Sequence, residues 1–188
     1  MMIVEKTKLD GCLIIKPKLF NDSRGYFFES FNEKRYQEML GIKERFVQDN
    51  CSKSTKGVLR GLHFQRNNPQ GKLVYVTSGS VLDVAVDIRP NSKTYGQYES
   101  VILSSDNKLQ FYVPPGFAHG FLVLSDVAEF QYKCTDYYYP DDECGIYWND
   151  EEINIDWPIT NPILSKKDKA QPSFKEIVTA KLLDSHIK

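Results

Sequence analysis

Apolar and polar residues alternate along most of the first 150 positions, in short runs separated by Gly, Pro, Asn and Asp. In "VLDVAVDIR" (81–89), Leu82, Val84, Val86 and Ile88 share one face, while Asp83, Ala85, Asp87 and Arg89 share the other. That is the period-two signature of a half-buried strand. "LQFYV" (109–113), "GFLVL" (120–124) and "AEFQYKC" (128–134) predict further strands, and Gly79-Ser80 between "KLVYVTS" and "VLDVAV" predicts a tight hairpin. The period changes in two places. "NEKRYQEML" (32–40) predicts a helix capped by Asn32 and stopped by Gly41. Near the end, Phe174, Ile177, Val178 and Leu182 fall on one helical stripe behind the capping-box pattern Ser173-x-x-Glu176, giving a helical segment over about 173–184. Many short strands with few helices predict an all-β sandwich or barrel. No stretch has linker composition, so residues 1–188 are expected to form a single domain.

Composition narrows the function classes. A chain of 188 residues can bury a real core. A net charge of −1 speaks against nucleic-acid or membrane-surface binding, both of which want a basic excess. Cys12, Cys51, Cys134 and Cys144 show no metal-knuckle spacing and are too sparse for a disulfide scaffold, which favours reduced thiols in a cytoplasm. The apolar run near the N-terminus is too short for a signal-peptide core, and nothing approaches the roughly 20 apolar residues of a membrane span.

The candidate chemistry lies on strands. "GVLRGLHFQ" (57–65) carries Arg60 and His63, which point to opposite sides of a regular strand because their positions differ in parity. Either they serve two surfaces, or a bulge at Gly61 brings both into one cavity. Lys72, Asp83, His119, Glu129 and Gln131 are further polar residues on apolar strands, and buried charges are costly unless paired or hydrated. Together they predict a polar-lined cavity inside a barrel. A metal site fits poorly, because His63-Phe64-Gln65 lacks a second ligand on its strand and His186 lies in the tail. Acid–base chemistry fits better. A neutral His accepts a proton near pH 7, a carboxylate fixes its tautomer, a Tyr donates, and a Lys steadies a developing enolate. The chain has candidates for each role; spacing does not say which of them meet.

Six blocks in order, "DSRGYFFESF" (22–31), "FVQDNCSKSTKGVLRGLHFQ" (46–65), "GKLVYVTSGSVLDVAVDIR" (71–89), "PPGFAHGFLVLSD" (114–126), "YYYPDDECGIYWND" (137–150) and "ILSKKD" (163–168), resemble the dTDP-4-dehydrorhamnose 3,5-epimerase family over nearly the whole chain. The resemblance implies a cupin-type double-stranded β-helix (a jelly-roll barrel) with short peripheral helices, a homodimer, and no cofactor or metal. It matches His63 to the general base, Asp168 to its carboxylate partner, Tyr132 to the proton donor on the opposite face of the sugar and Lys72 to the enolate-stabilising cation. It matches Arg24, Glu29, Gln48, Asp49, Asn50, Arg60, His119, Glu143 and Lys167 to positions that contact the nucleotide sugar, some across the dimer. The loop "RNNPQG" is about a residue short against some relatives.

The implied reaction is epimerisation at C3 and C5 of a dTDP-4-keto-6-deoxyhexose through an enolate, within rhamnose-type carbohydrate biosynthesis. Relatives on the same scaffold epimerise one centre only or act on GDP-linked sugars. A metal-dependent cupin oxygenase and a non-catalytic sugar-binding cupin are the readings from other classes.

Overall fold

The computed structural model describes residues 2–180. Its strands, numbered in chain order, form two packed antiparallel sheets and a separate hairpin. The six-stranded sheet runs β1 (Ile3–Lys6), β2 (Leu13–Lys16), β10 (Gln110–Val113), β7 (Lys72–Ser78), β12 (Val127–Cys134), β5 (Gln48–Thr55). The five-stranded sheet runs β13 (Glu143–Gly145), β6 (Leu59–Gln65), β11 (Phe117–Val123), β8 (Ser80–Asp87), β9 (Tyr98–Ser104). This is an all-β, cupin-type barrel.

Burial on both sides of the sheets explains where the period-two reading fails. Val74, Val76, Val81, Ala85, Phe111, Phe121 and Phe130 pack between the sheets. On the outer face of the five-stranded sheet, Leu62, Val84, Val86 and Leu122 pack against Trp148, Ile153, Trp157, Phe174 and Ile177 from the C-terminal segment. β8 is therefore buried on both faces rather than half-exposed. Asp83 and Asp87 have no solvent exposure and are satisfied internally. Asp87 accepts hydrogen bonds from Arg89 Nε at 2.9 Å, Ser92 Oγ at 2.5 Å and Thr94 Oγ1 at 2.7 Å. These bonds and the Arg89 ion pair outweigh the upward push of burial and hold its carboxyl below the usual range.

The hairpin expected at Gly79-Ser80 is instead a corner: β7 and β8 belong to different sheets. A Cβ at Gly79 would lie 2.1 Å from Val127 O, and φ is +76°, so the chain crosses there only as glycine. Helix α1 (Glu33–Leu40) forms as expected: Asn32 accepts from Arg35 N at 3.0 Å, Gly41 adopts the left-handed conformation, and Tyr36 and Leu40 cover Leu73 and Tyr112. After α2 (Lys166–Lys169), α3 (Phe174–Thr179) starts with the Ser173/Glu176 capping box. Phe174 and Ile177 are buried while Val178 is exposed, so the apolar stripe is narrower than expected. The rest of that stripe, including Leu182, and His186 lie outside the described residues. β3 (Phe20–Asp22) and β4 (Gly25–Phe27) form the hairpin that leaves Phe20, Tyr26 and Phe27 exposed.

Candidate active site

The polar residues gather where β6, β7, β11, β12 and β5 face one another. The parity of Arg60 and His63 is settled by a bulge. His119 pairs with His63 and Phe121 with Arg60, so two steps on β11 match three on β6. The additional residue returns Arg60 and His63 to the same side, and both line one cavity. The Gly61–Leu62 peptide is cis, Gly61 has φ +112°, and a Cβ there would sit 2.6 Å from Gly120 Cα. Only glycine fits this crossing of strands.

His63 stands between two carboxylates. Its Nε2 lies 2.6 Å from Asp168 Oδ1, while Nδ1 is 3.6 Å from Glu143 Oε1. Asp168 is carried by α2, whose cap Ser165 donates to Oδ2 at 2.6 Å and accepts from Asp168 N at 3.0 Å. Burial pushes the Asp168 carboxyl up, but its bonds to His63 and Ser165 together outweigh burial and hold it below the usual carboxylate range. Asp168 thus meets the ring of His63, its partner in the dyad, as a carboxylate. With Nε2 committed to Asp168, Nδ1 is the nitrogen left to take a proton.

Burial pushes Lys72 below the ordinary lysine value, against the opposing pull of Cys134, Asp83 and Glu143. Burial pushes the Tyr132 phenol up, so it stays protonated well past neutrality. Two cavities meet at these groups. One, about 350 Å³, is walled by Gln48, Asn50, Gln70, Tyr138 and Glu143; the other, about 240 Å³, by Ser52, Arg60, His119, Phe121 and Phe130. His63, Lys72 and Tyr132 line both. An imidazole, an amine and a phenol hydroxyl therefore all line the junction of the two lobes. That arrangement suits removal and return of a proton beside a carbonyl whose oxygen becomes anionic.

Other expected site residues fall in different places. Gln48 and Asn50 face the larger lobe, joined by a 3.0 Å hydrogen bond from Gln48 Nε2 to Asn50 Oδ1. Arg60 and Lys167 border the smaller lobe, and Arg60 Nε donates to Ser54 Oγ at 3.1 Å. His119 is buried and reaches both oxygens of Asp83 at 2.9 and 3.0 Å. Asp49 points outward to an ion pair with Lys133 at 2.9 Å. Arg24 pairs with Asp22 at 2.6 Å on the exposed hairpin, and Glu29 pairs with Arg35 at 2.7 Å; neither lines either lobe. Glu129 and Gln131, expected in the cavity, alternate with Phe130 and Tyr132 and face away; Gln131 instead accepts from Tyr75 OH at 3.0 Å. Among the described residues, no group of three or more His, Cys, Asp or Glu is placed to hold a metal ion.

Some lining residues were not singled out from sequence. Tyr138, one of three consecutive tyrosines, bonds Glu143 Oε2 at 2.5 Å and carried no signal to distinguish it from its neighbours. Ser165 did carry one: Ser-x-x-Asp is a helix-cap spacing, and here the cap also orients the dyad. Asp83 was read as a strand polar residue without its partner. Ser52 and Gln70 had no signal.

The fold and site define a jelly-roll barrel with a cavity lined by His63, Lys72 and Tyr132, groups suited to acid–base chemistry. A profile of the family described as dTDP-4-dehydrorhamnose 3,5-epimerase matches residues 6–176. The dTDP-4-dehydrorhamnose 3,5-epimerase of Escherichia coli K12 is 55% identical over 184 residues, covering 97% of this chain and 100% of that one. The crystal structure of dTDP-6-deoxy-D-glucose-3,5-epimerase from Legionella pneumophila with dTDP-4-keto-L-rhamnose aligns with a TM-score of 0.93 at 54% identity over 97% of each chain. A 3'-monoepimerase from Streptomyces bikiniensis, solved with dTDP-quinovose, aligns with a TM-score of 0.88 at 30% identity over 94% of this chain and 90% of that one. This chain belongs to the dTDP-4-dehydrorhamnose 3,5-epimerase family. Among the described residues, no helix is long and apolar enough to cross a membrane.

Proposed function

We propose that this protein inverts C3 and C5 of a dTDP-linked 4-keto-6-deoxyhexose, converting dTDP-4-keto-6-deoxy-D-glucose to dTDP-4-keto-L-rhamnose. The observation that carries the reading is His63, bonded to Asp168 at 2.6 Å, lining the same junction as Lys72 and Tyr132. The 4-keto group acidifies the hydrogens on C3 and C5. His63 Nδ1 takes one of them while Asp168 stabilises the imidazolium, and the C–H electron pair moves to the carbonyl oxygen beside Lys72. Tyr132, kept protonated by burial, gives a proton to the other face of the carbon. The reaction returns the carbonyl with its redox state unchanged, so its chemistry calls for no redox cofactor.

Gln48, Asn50, Arg60, His119, Glu143 and Lys167 bind the nucleotide sugar in this reading, with Arg60 and Lys167 offsetting the diphosphate charge. Arg24 and Glu29 serve the lobe of a second copy in a homodimer. Their place on or beside a hairpin with exposed Phe20, Tyr26 and Phe27, away from their own cavity, supports that assignment.

The test is mass spectrometry of dTDP-4-keto-6-deoxyglucose incubated with the enzyme in D₂O. Two deuteriums, lost with His63→Ala, are expected. The structural likeness to a 3'-monoepimerase favours one second reading, a single-centre enzyme, which predicts one deuterium. No uptake would overturn both and turn attention to other nucleotide sugars.

A further inference from the structure

Inverting two carbons in one substrate sets a proton-balance problem, and this inference rests on the epimerase reading above. Each inversion moves a carbon-bound proton onto His63 and a phenol proton from Tyr132 onto carbon. After the first inversion the base is full and the acid is empty. Before the second, His63 has to lose its proton and Tyr132 has to regain one.

Asp168 offers no exit. Its Oδ1 is occupied by His63 and its Oδ2 by Ser165, and its side chain is 5% exposed. His119 offers none either, since its Nε2 is held by both oxygens of buried Asp83. The other nitrogen of His63 faces Glu143. In the ladder between β13 and β6, Gly145 pairs with His63 and Glu143 with Gln65, so Glu143 is the diagonal neighbour of the base. Its Oε2 is taken by Tyr138 OH at 2.5 Å and by Lys167 Nζ at 2.5 Å, and Oε1 is the oxygen turned toward His63 Nδ1 at 3.6 Å. That separation exceeds a hydrogen bond, so the transfer needs a side-chain rotation that brings Oε1 to the ring nitrogen. Tyr138 and Lys167 are both about half exposed, so the chain His63–Glu143–Tyr138/Lys167 runs from the reacting point to solvent.

We propose that Glu143 is a proton-relay residue: between the two inversions it takes the proton from His63 Nδ1 onto Oε1 and releases it to solvent, while Tyr132 recovers a solvent proton. Protons balance over each cycle, with one leaving through Glu143 for each one delivered to carbon. The electrostatics suit a relay better than a store. Burial pushes the Glu143 carboxyl up, but Lys167 and Tyr138 outweigh burial and hold it below the usual range, so it gives up a proton readily.

The test follows deuteration at C3 and C5 separately, by NMR under single-turnover conditions in D₂O, in the wild type and in Glu143→Gln. A relay predicts that the ratio of the second exchange rate to the first falls at least about tenfold, a modest share of the usual acid–base effect, so that singly deuterated product accumulates. A residue that only binds substrate or supports the fold slows both exchanges by one factor and leaves the ratio unchanged. An unchanged ratio overturns the relay. Lys167→Met removes one of the two exposed groups that link Glu143 to solvent. Because Lys167 also borders the binding cavity, its effect is read only in the ratio of the second exchange to the first. The relay predicts that this ratio falls, and an unchanged ratio counts against the relay here too. Wild-type enzyme separates the two claims. Two deuteriums there with an unchanged ratio in the variants remove the relay and leave the epimerase reading standing. Fewer than two in the wild type overturn that reading, and the relay with it.

Discussion

The barrel holds two His–Asp pairs, His63–Asp168 and His119–Asp83, and their histidines sit opposite each other across β6 and β11. The residue types and distances are alike; the surroundings are not. His63 is 28% exposed, uses one nitrogen on Asp168 and keeps the other open to the cavity. His119 is 7% exposed, meets both carboxylate oxygens with a single nitrogen, and lies over the Phe130 ring at 6.2 Å. Asp168 comes from a helix 105 residues away, whereas Asp83 lies on the strand beside His119. In the proposed reading what separates them is access. The partly exposed pair can pass a proton to water and serves as the base. The buried pair, though one ring nitrogen is unused by Asp83, has little solvent to exchange with and mainly holds Asp83 in the sheet.

Separate substitutions should break this comparison cleanly. His63→Ala is expected to lower the rate by about 10²–10⁴-fold while leaving the urea midpoint close to that of the wild type. His119→Ala leaves Asp83 buried without its partner and should cost about 3–5 kcal/mol of stability, read as a lower urea midpoint. Reversed phenotypes would mean that the roles of the two dyads have been exchanged. Asp168→Asn comes next. It keeps the shape and removes the charge that stabilises the imidazolium, so a rate loss of about 10²-fold with an unchanged urea midpoint is expected from pre-steady-state deuterium uptake. If uptake is unaffected, the short Asp168 contact is structural only. Gly61→Ala acts on what places both histidines. Its Cβ would meet the backbone of Gly120 and His119 at 2.6–2.7 Å, so a loss of about 1–3 kcal/mol is expected with His63 displaced. Full stability together with full activity would show that the bulge does not set the base.

The sequence disclosed the two dyads unequally, for physical reasons. Alternation marked the strands, and Asn32, Gly41 and the Ser173/Glu176 box marked helix ends, because those signals are local. Alternation misjudged β8 because the C-terminal segment, some 60 residues on, covers its outer face with Trp148 and Trp157. Gly79 looked like a hairpin because a tight turn and a sheet-crossing corner ask the same freedom of glycine. The pairing of His63 with Asp168 came only from resemblance, since no local rule joins residues 105 apart. Asp83 was visible as a misplaced charge, but its partner lies across a strand pairing whose register the sequence does not state. Arg60 and His63 were left between two faces until the register of β6 on β11 supplied the additional residue.

The smallest expected effect concerns how the buried dyad touches the chemistry at all. Lys72 is held below the ordinary lysine value of 10.5 by burial, and Asp83 is among the groups that oppose the shift, with Cys134 and Glu143. Tyr132 is shifted the other way, above its ordinary 10.0, by burial. Burial thus moves the two groups in opposite directions, Lys72 down and Tyr132 up, and the basic limb of kcat is expected to follow Lys72. Asp83→Asn keeps an amide oxygen for His119 and removes the negative charge. Lys72 then has less to hold its proton, so the basic limb should move to lower pH, with the rate at neutral pH reduced less than in Asp168→Asn. Asp168 is not among the groups that set Lys72, and Asp168→Asn should lower the plateau while leaving the basic limb in place. A pH–rate profile of the two variants decides the point: a limb that moves in Asp83→Asn alone ties the buried dyad to the enolate cation, and a limb that stays put in both confines Asp83 to holding the fold.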